Sequence, residues 1–260
     1  MSAGDTRDLV RRQFGAHADR YVASPEHAKG ESLDRLIDLA APRPEWRVLD
    51  VATGGGHTAL AVAPHVREVV ASDLTPEMIQ AARRFIASKG ITNVSYREAD
   101  ATALPFGEGE FDMVTCRIAP HHFPDVPRFV KEMHRVLRAG GVAIVIDNVV
   151  PEEPVAAEYI NRFERMRDPS HNRSHSESDW MRVFQEAGFH DIHAEFFRKA
   201  RDFEEWTGRT SADEETKVKL RAMLEEAPPT ARYVLAPERD KKSGVLRFYL
   251  DEILIRGRKA

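Results

Sequence analysis

The stretch VLDVATGGGHTALAVA sets Asp50 and Val51 at the end of an apolar run, follows them with Thr53, Gly54, Gly55 and Gly56, and then turns helical. Glycine tolerates backbone angles closed to other residues and lets a ligand approach the main chain, while free N–H groups at a helix start favour a polar or anionic group. A plain strand-to-helix turn would use the same residues. In EVVASDLTPEMI, Asp73 closes a second apolar run where an open α/β fold sets an acid against ribose hydroxyls, since a carboxylate accepts both hydroxyl protons. Asp73 or Thr75 would also serve to cap the helix that begins near Pro76, and the two roles are compatible. In READATALPF, Asp100 follows a third run and precedes the apolar turn Leu104-Pro105-Phe106. Its carboxylate can accept an adenine amino group while the Ala101 N–H meets a ring nitrogen; a polar loop with a buried proline is the plainer alternative. Finally, EFDMVTCRIAPHHFPD delivers Cys116, Arg117, His121 and His122 to the carboxyl end of a fourth run, the edge where open α/β sheets bind ligands.

The elements that must hold these groups follow from periodicity. Apolar runs at Arg47–Val51, Glu68–Ser72, Phe111–Thr115 and Val142–Ile146, with a more polar one at Val94–Arg97, predict strands mostly buried on both faces. Between them, Met78, Ile79, Ala82, Phe85 and Ile86 share one helical face, as do Val126, Phe129, Val130, Met133 and Leu137. Strands alternating with helices imply right-handed crossovers and a doubly wound, mostly parallel sheet. Leu33, Leu36, Ile37 and Ala40 predict a helix ahead of the sheet, closed by Pro42 and Pro44. Past Pro151 and Pro154 the spacing predicts helices over Ala156–Met166 and Ser176–Glu186, a strand near Ile192–Phe197, and helices from about Phe203 to Tyr233. In the last strand, near Val245–Arg256, Leu246, Phe248 and Leu250 alternate, but the apolar parity shifts past Asp251 and Glu252, which a bulge would explain. The expected division is an N-terminal helical cap segment (1–45), a Rossmann-like core (46–150), and helical cap insertions with the last strands (151–260).

Composition narrows the function classes. A net charge of -4 with acids and bases interspersed gives no basic footprint for a phosphate backbone, so DNA and RNA are disfavoured. Cys116 is the only cysteine, which excludes an intrachain disulfide and a cysteine-cluster metal site and fits a reducing compartment. The N-terminal sequence has no apolar signal core and no apolar run of spanning length follows, so the expectation is a cytoplasmic protein without a membrane span.

Together, in this order and spacing, the four segments and LRAGGVAIVID resemble the class I S-adenosylmethionine (SAM)-dependent methyltransferases over Trp46–Asp147. VLDVATGGG looks closest to the ubiquinone/menaquinone-biosynthesis (UbiE-type) methyltransferases and small bacterial relatives. One departure is Ala52, where that signature begins with Gly; its methyl must fit beside the ligand. The contiguous glycines do not space as the G-x-G-x-x-G of a nicotinamide-dinucleotide fold. The resemblance implies a mostly parallel sheet with an antiparallel last strand and a helical cap, with SAM as cofactor and S-adenosylhomocysteine (SAH) as product. It further implies that Ala52, Gly54 and Gly56 approach the methionine part, that Asp73, Leu74 and Met78 bracket ribose and adenine, and that Asp100 and Ala101 hold the base. Asp50 would brace the glycine turn. The main chain at Arg117 would face the methionine end, leaving His121 and His122 near the sulfonium methyl.

Methyl transfer is an in-line displacement, so the protein must align a nucleophile and exclude water. An acidic carbon or hydroxyl acceptor also needs a base, and His121 and His122 are the candidates; either would alternatively fill the loop with a backbone hydrogen bond. Acceptor contacts are expected from Phe14, Tyr21 and His27 and from Arg167, His171 and Arg173, although aromatic packing and a solvated loop explain those stretches as well. His171 and His175 have metal-like spacing, but Pro169 argues against a helix there and no metal is expected. The expected partner is a small-molecule acceptor, quinone-like or otherwise aromatic or polar, methylated on carbon or oxygen; a homodimer is compatible with the sequence. A SAM- or SAH-binding sensor without transfer is the alternative function, and a Rossmann-type oxidoreductase a third.

Overall fold

The computed structural model describes residues 3–15, 30–210 and 212–260. In chain order the elements are α1 (Ala3–Gly15), α2 (Glu31–Ala40), β1 (Arg47–Val51), α3 (His57–Val62), β2 (Glu68–Asp73), α4 (Pro76–Ser88), β3 (Val94–Glu98), β4 (Phe111–Arg117), α5 (Val126–Val136) and β5 (Leu137–Val149). The second half adds α6 (Pro154–Arg167), α7 (Glu177–Glu186), β6 (Phe189–Asp202), α8 (Phe203–Arg209), α9 (Glu214–Glu225), α10 (Pro229–Leu235), the two-residue β7 (Glu238–Arg239) and β8 (Leu246–Lys259).

The sheet order is β3-β2-β1-β4-β5-β8-β6, with β7 on β8. Strands β1 to β5 pair in parallel, and β8 runs antiparallel to both β5 and β6. This is the mostly parallel sheet with an antiparallel last strand that the resemblance implies. The order reverses between β1 and β4, and a crevice opens outside the carboxyl ends of strands at such a point.

Burial on both faces explains the apolar strand runs. On one face Ala143, Val145, Ile253 and Ile255 pack with Phe129 and Met133 of α5 and Trp180 and Phe184 of α7. On the other, Ile144, Ile146 and Leu254 pack with Leu36 of α2, Val62 of α3 and Ile86 of α4. A third cluster joins Phe248 and Leu250 of β8 to α6, α8, α9 and α10, where Phe163 stacks on Trp206 and both rings meet Phe248 edge-on. That cluster is the helical cap.

The expected bulge at Asp251 and Glu252 is absent: β8 pairs in unbroken register with β5 from Asp251 to Arg258. The apolar parity shifts because β8 passes from the cap's edge into the double-sided core, so Ile253 and Ile255 find a second apolar face. The irregularity sits instead in β6, between His190 and His193, beside Asp191 at φ 49. Leu137 opens β5 rather than closing the helix face, although it is buried as expected. Among the described residues no helix is long and apolar enough to cross a membrane.

Candidate active site

The glycine turn is built from below by Asp50. One carboxylate oxygen accepts the Thr53 hydroxyl at 2.6 Å and the other the Thr115 hydroxyl at 2.8 Å, which ties the turn to β4. Asp50 is thus the brace the sequence suggests. Burial pushes its carboxyl up to about 6, against the opposing hydroxyl donors. An unfolded aspartate titrates near 4, so this raised value favours folding at low pH, and the contribution is lost as pH rises through about 6. In Asp50→Asn, stability relative to the parent is therefore expected to improve steadily from about pH 4 to about pH 6, measured by urea unfolding across that range. A pH-independent difference would contradict the raised value.

Beyond Asp50 the chain enters the left-handed region three times, at Ala52 (φ 51), Gly54 (φ 52) and Gly56 (φ 85). A side chain at Gly54 would meet nothing within 4 Å, so the main chain there faces open space. Gly56 does not line the cavity. A Cβ there would stand 2.9 Å from Ile86 Cδ1 and 3.1 Å from Ala82 Cβ, so its work is to seat the turn against α4. Gly56→Ala combines left-handed strain with overpacking and should cost about 2 kcal/mol, lowering Tm by several degrees. An unchanged melting curve would contradict this placement.

Asp73, buried at the end of β2, accepts the Gly54 N–H at 2.9 Å and the Thr75 N–H at 3.0 Å. Desolvation raises its pKa against those backbone donors. Asp73 therefore joins the glycine turn to the start of α4 and borders the cavity above them. That cavity encloses about 1030 Å³ with its open mouth included. Ala52, Gly54, Asp73, Leu74, Met78, Asp100, Ala101, Arg117 and His122 are among the residues that line it.

Sequence reasoning missed Arg7. From α1 it borders this cavity, pairs with Asp100 at 2.8 Å and donates to the Thr102 hydroxyl at 3.1 Å. Phe14, about two turns further along the same face of α1, stands edge-on to His122 at 5.0 Å. The spacing of Arg7, Arg11 and Phe14 on one helix was the available signal. Tyr21 and His27 lie outside the described residues.

The four-residue step from Arg117 to the Pro120–His122 turn contains Ile118 at φ 52, an unusual angle for a β-branched residue. It swings the histidine pair back under the sheet edge, and the Ile118 N–H is held by the Ile146 carbonyl at 2.7 Å. His121 Nδ1 meets Asp147 Oδ1 at 2.5 Å. Burial works against its charge, but the Asp147 carboxylate, with Glu164 and Asp168 adding to it, holds the ring above its usual value. His122 Nδ1 lies 3.0 Å from the Ser170 carbonyl, which can only accept, so Nδ1 carries the proton and Nε2 the lone pair. Burial, and then the charge on His121, push His122 down to about 4.

A second cavity of about 640 Å³ adjoins the first and shares the wall of Phe14, Arg117, Ile118 and His122. His121 borders only this one, together with Arg167. His171 touches neither cavity: its Nε2 is bonded to Asn161 Oδ1 at 2.9 Å and its ring stacks on His121, so it is a buried support. Arg173 points to solvent and pairs with Asp179 at 3.4 Å, and His175 pairs with the same acid at 3.6 Å. Neither borders a cavity. The other lining groups are Asp168, just past α6, and Asn148, Glu164, Arg201, Trp206, Arg209, Leu250 and Glu252, which come from β5, α6, β6, α8 and β8.

Comparison with known proteins places this geometry among relatives. The methyltransferase domain family matches residues 49–145. The chain is 36% identical over 248 residues to the uncharacterized methyltransferase YcgJ of Bacillus subtilis, covering 95% of this chain and 97% of that one. The crystal structure of YcgJ superposes with a TM-score of 0.83 over 88% of this chain and 97% of its own. The demethylmenaquinone methyltransferase of Thermus thermophilus is 40% identical over 115 residues, 44% of this chain and 52% of its own. Phosphoethanolamine N-methyltransferase 2 of Haemonchus contortus, solved with phosphomonomethylethanolamine and SAH, shares the fold at a TM-score of 0.65 and 16% identity, over 98% of this chain and 60% of its own.

Proposed function

The chain belongs to the class I SAM-dependent methyltransferases, and from that premise we propose that the larger cavity holds SAM and the adjoining one a small-molecule acceptor, the two meeting at His122. The observation that carries this reading is their shared wall of Phe14, Arg117, Ile118 and His122. The cavity fits the cofactor: the open space over Gly54 admits close approach to the main chain, and Asp73 stands beside it with acceptor oxygens for ribose hydroxyls. Asp100 and Ala101 would hold the adenine, and Leu74 and Met78 would pack against it. Gly56 supports the turn from behind. SAM supplies an electrophilic methyl group on a sulfonium.

The chain's own residues do the rest. Phe14 and Arg7 of α1 cover the mouth and exclude water from the junction. Asp168 accepts the Ser170 N–H at 2.9 Å and its hydroxyl at 2.6 Å, Ser170 presents its carbonyl to His122, and the ring is left with Nε2 able to accept a proton from the acceptor. Burial keeps His122 neutral, and the charge on His121, which faces Asp147 and the second cavity only, adds to that effect.

The acceptor is a small molecule in this reading. A quinone ring is suggested by the demethylmenaquinone methyltransferase, but the match spans 44% of this chain, and the charged lining of the second cavity does not favour an apolar ring. Calorimetric titration with SAM, SAH and NAD tests the cofactor assignment. Micromolar binding of the two adenosyl ligands without NAD is expected; NAD binding alone, or none, would overturn it.

A further inference from the structure

Resting on the placement of the acceptor in the second cavity, we propose that the acceptor is a small amino acid-like zwitterion, its acid group bound at Arg167 and its amine at Glu164 and Asn148. Among the described residues, the cavity lining holds the guanidinium groups of Arg117, Arg167, Arg201 and Arg209 and the carboxyl groups of Glu164, Asp168 and Glu252. Both signs of charge therefore line it, as a ligand carrying both signs requires. Two of the acids are already engaged. Asp168 is taken by Ser170, and Glu252 accepts the Ser32 hydroxyl at 3.0 Å and faces Arg201 at 3.3 Å.

Arg167 and Glu164 differ. Their mutual contact is a long 3.5 Å, and both are buried, with side chains 12% and 2% exposed. Arg167 Nε, Glu164 Oε1 and Asn148 Oδ1 are all buried without a hydrogen-bond partner. Buried polar atoms are almost always paired, and three on one cavity, one donor and two acceptors, describe a ligand that brings both an acceptor and a donor. Trp206, its ring centroid 4.5 Å below the Arg167 guanidinium, fixes that group's plane. A neutral quinone would bring Arg167 no anion beyond its long contact with Glu164.

The test incubates the protein with [methyl-³H]SAM and a bacterial small-molecule extract divided into organic-soluble, anionic and amphoteric fractions, the last retained on a cation exchanger in acid and on an anion exchanger in base. Tritium should enter the amphoteric fraction. Arg167→Met and Glu164→Gln should each lower incorporation roughly tenfold or more while SAH titrates as in the parent. Label in an organic-soluble neutral product, or parental incorporation in both variants, overturns the zwitterion while leaving methyl transfer intact. A protein that binds SAM but labels no fraction overturns the transfer reading and this inference with it.

Discussion

Asp73→Ala should lose SAM affinity by roughly 100-fold or more while remaining folded. Two charge-assisted hydrogen bonds to ribose hydroxyls are worth about 1.5–3 kcal/mol each, and the variant loses both. The same carboxylate receives the Gly54 and Thr75 N–H groups, so its removal also frees the turn on which the methionine end would lie. Asp73→Asn, which keeps one acceptor oxygen, should fall between the variant and the parent. Calorimetric titration with SAH reads the effect directly. A folded Asp73→Ala protein with parental affinity would remove Asp73 from the cofactor site and leave it only the helix-start role.

His122→Ala should retain SAM affinity and lose about 10²- to 10⁴-fold in turnover, the range for a positioned base. The structure separates the two histidines that sequence spacing offers together. His122 borders both cavities with Nδ1 committed to the Ser170 carbonyl, whereas His121 is committed to Asp147 and borders one. The charge on His121 helps to press His122 down to about 4, so His122 is neutral throughout the near-neutral range. Asp147→Asn removes the carboxylate that holds the proton on His121, which relieves the repulsion and raises the His122 pKa. The acid limb of the kcat profile should then move to higher pH, a readout that a packing role would not change. Parental turnover in His122→Ala would assign the ring to packing.

The lining of the larger cavity was legible because its signals are local. Strand, turn and helix start follow one another within a few residues at Asp50–Gly56 and Asp73–Met78, a strand runs into a turn at Asp100–Ala101, and all three segments line one cavity. Gly56 misled for a physical reason: a glycine required by a packed helix and one required by a ligand look alike in sequence, and only the contact with Ile86 separates them. The lining of the second cavity was largely illegible, since Asn148, Glu164, Arg201, Arg209 and Glu252 belong to five elements that only tertiary packing unites. Glu252 did leave a trace, an acid inside an apolar strand, but period-two reasoning assigned the disturbance to a bulge. Of the polar stretch around Arg167, only Arg167 among its three candidates borders the second cavity; Arg173 faces solvent and His171 turns into the protein to support His121.

Whether methyl donor and acceptor meet at the His122 wall is read most directly from a crystal structure of the SAH complex. Adenine is expected beside Asp100 and Ala101, ribose hydroxyls on Asp73, and the sulfur at the wall formed by Arg117, Ile118 and His122. SAH lodged in the second cavity, or bound in reverse with adenine against His122, would contradict it.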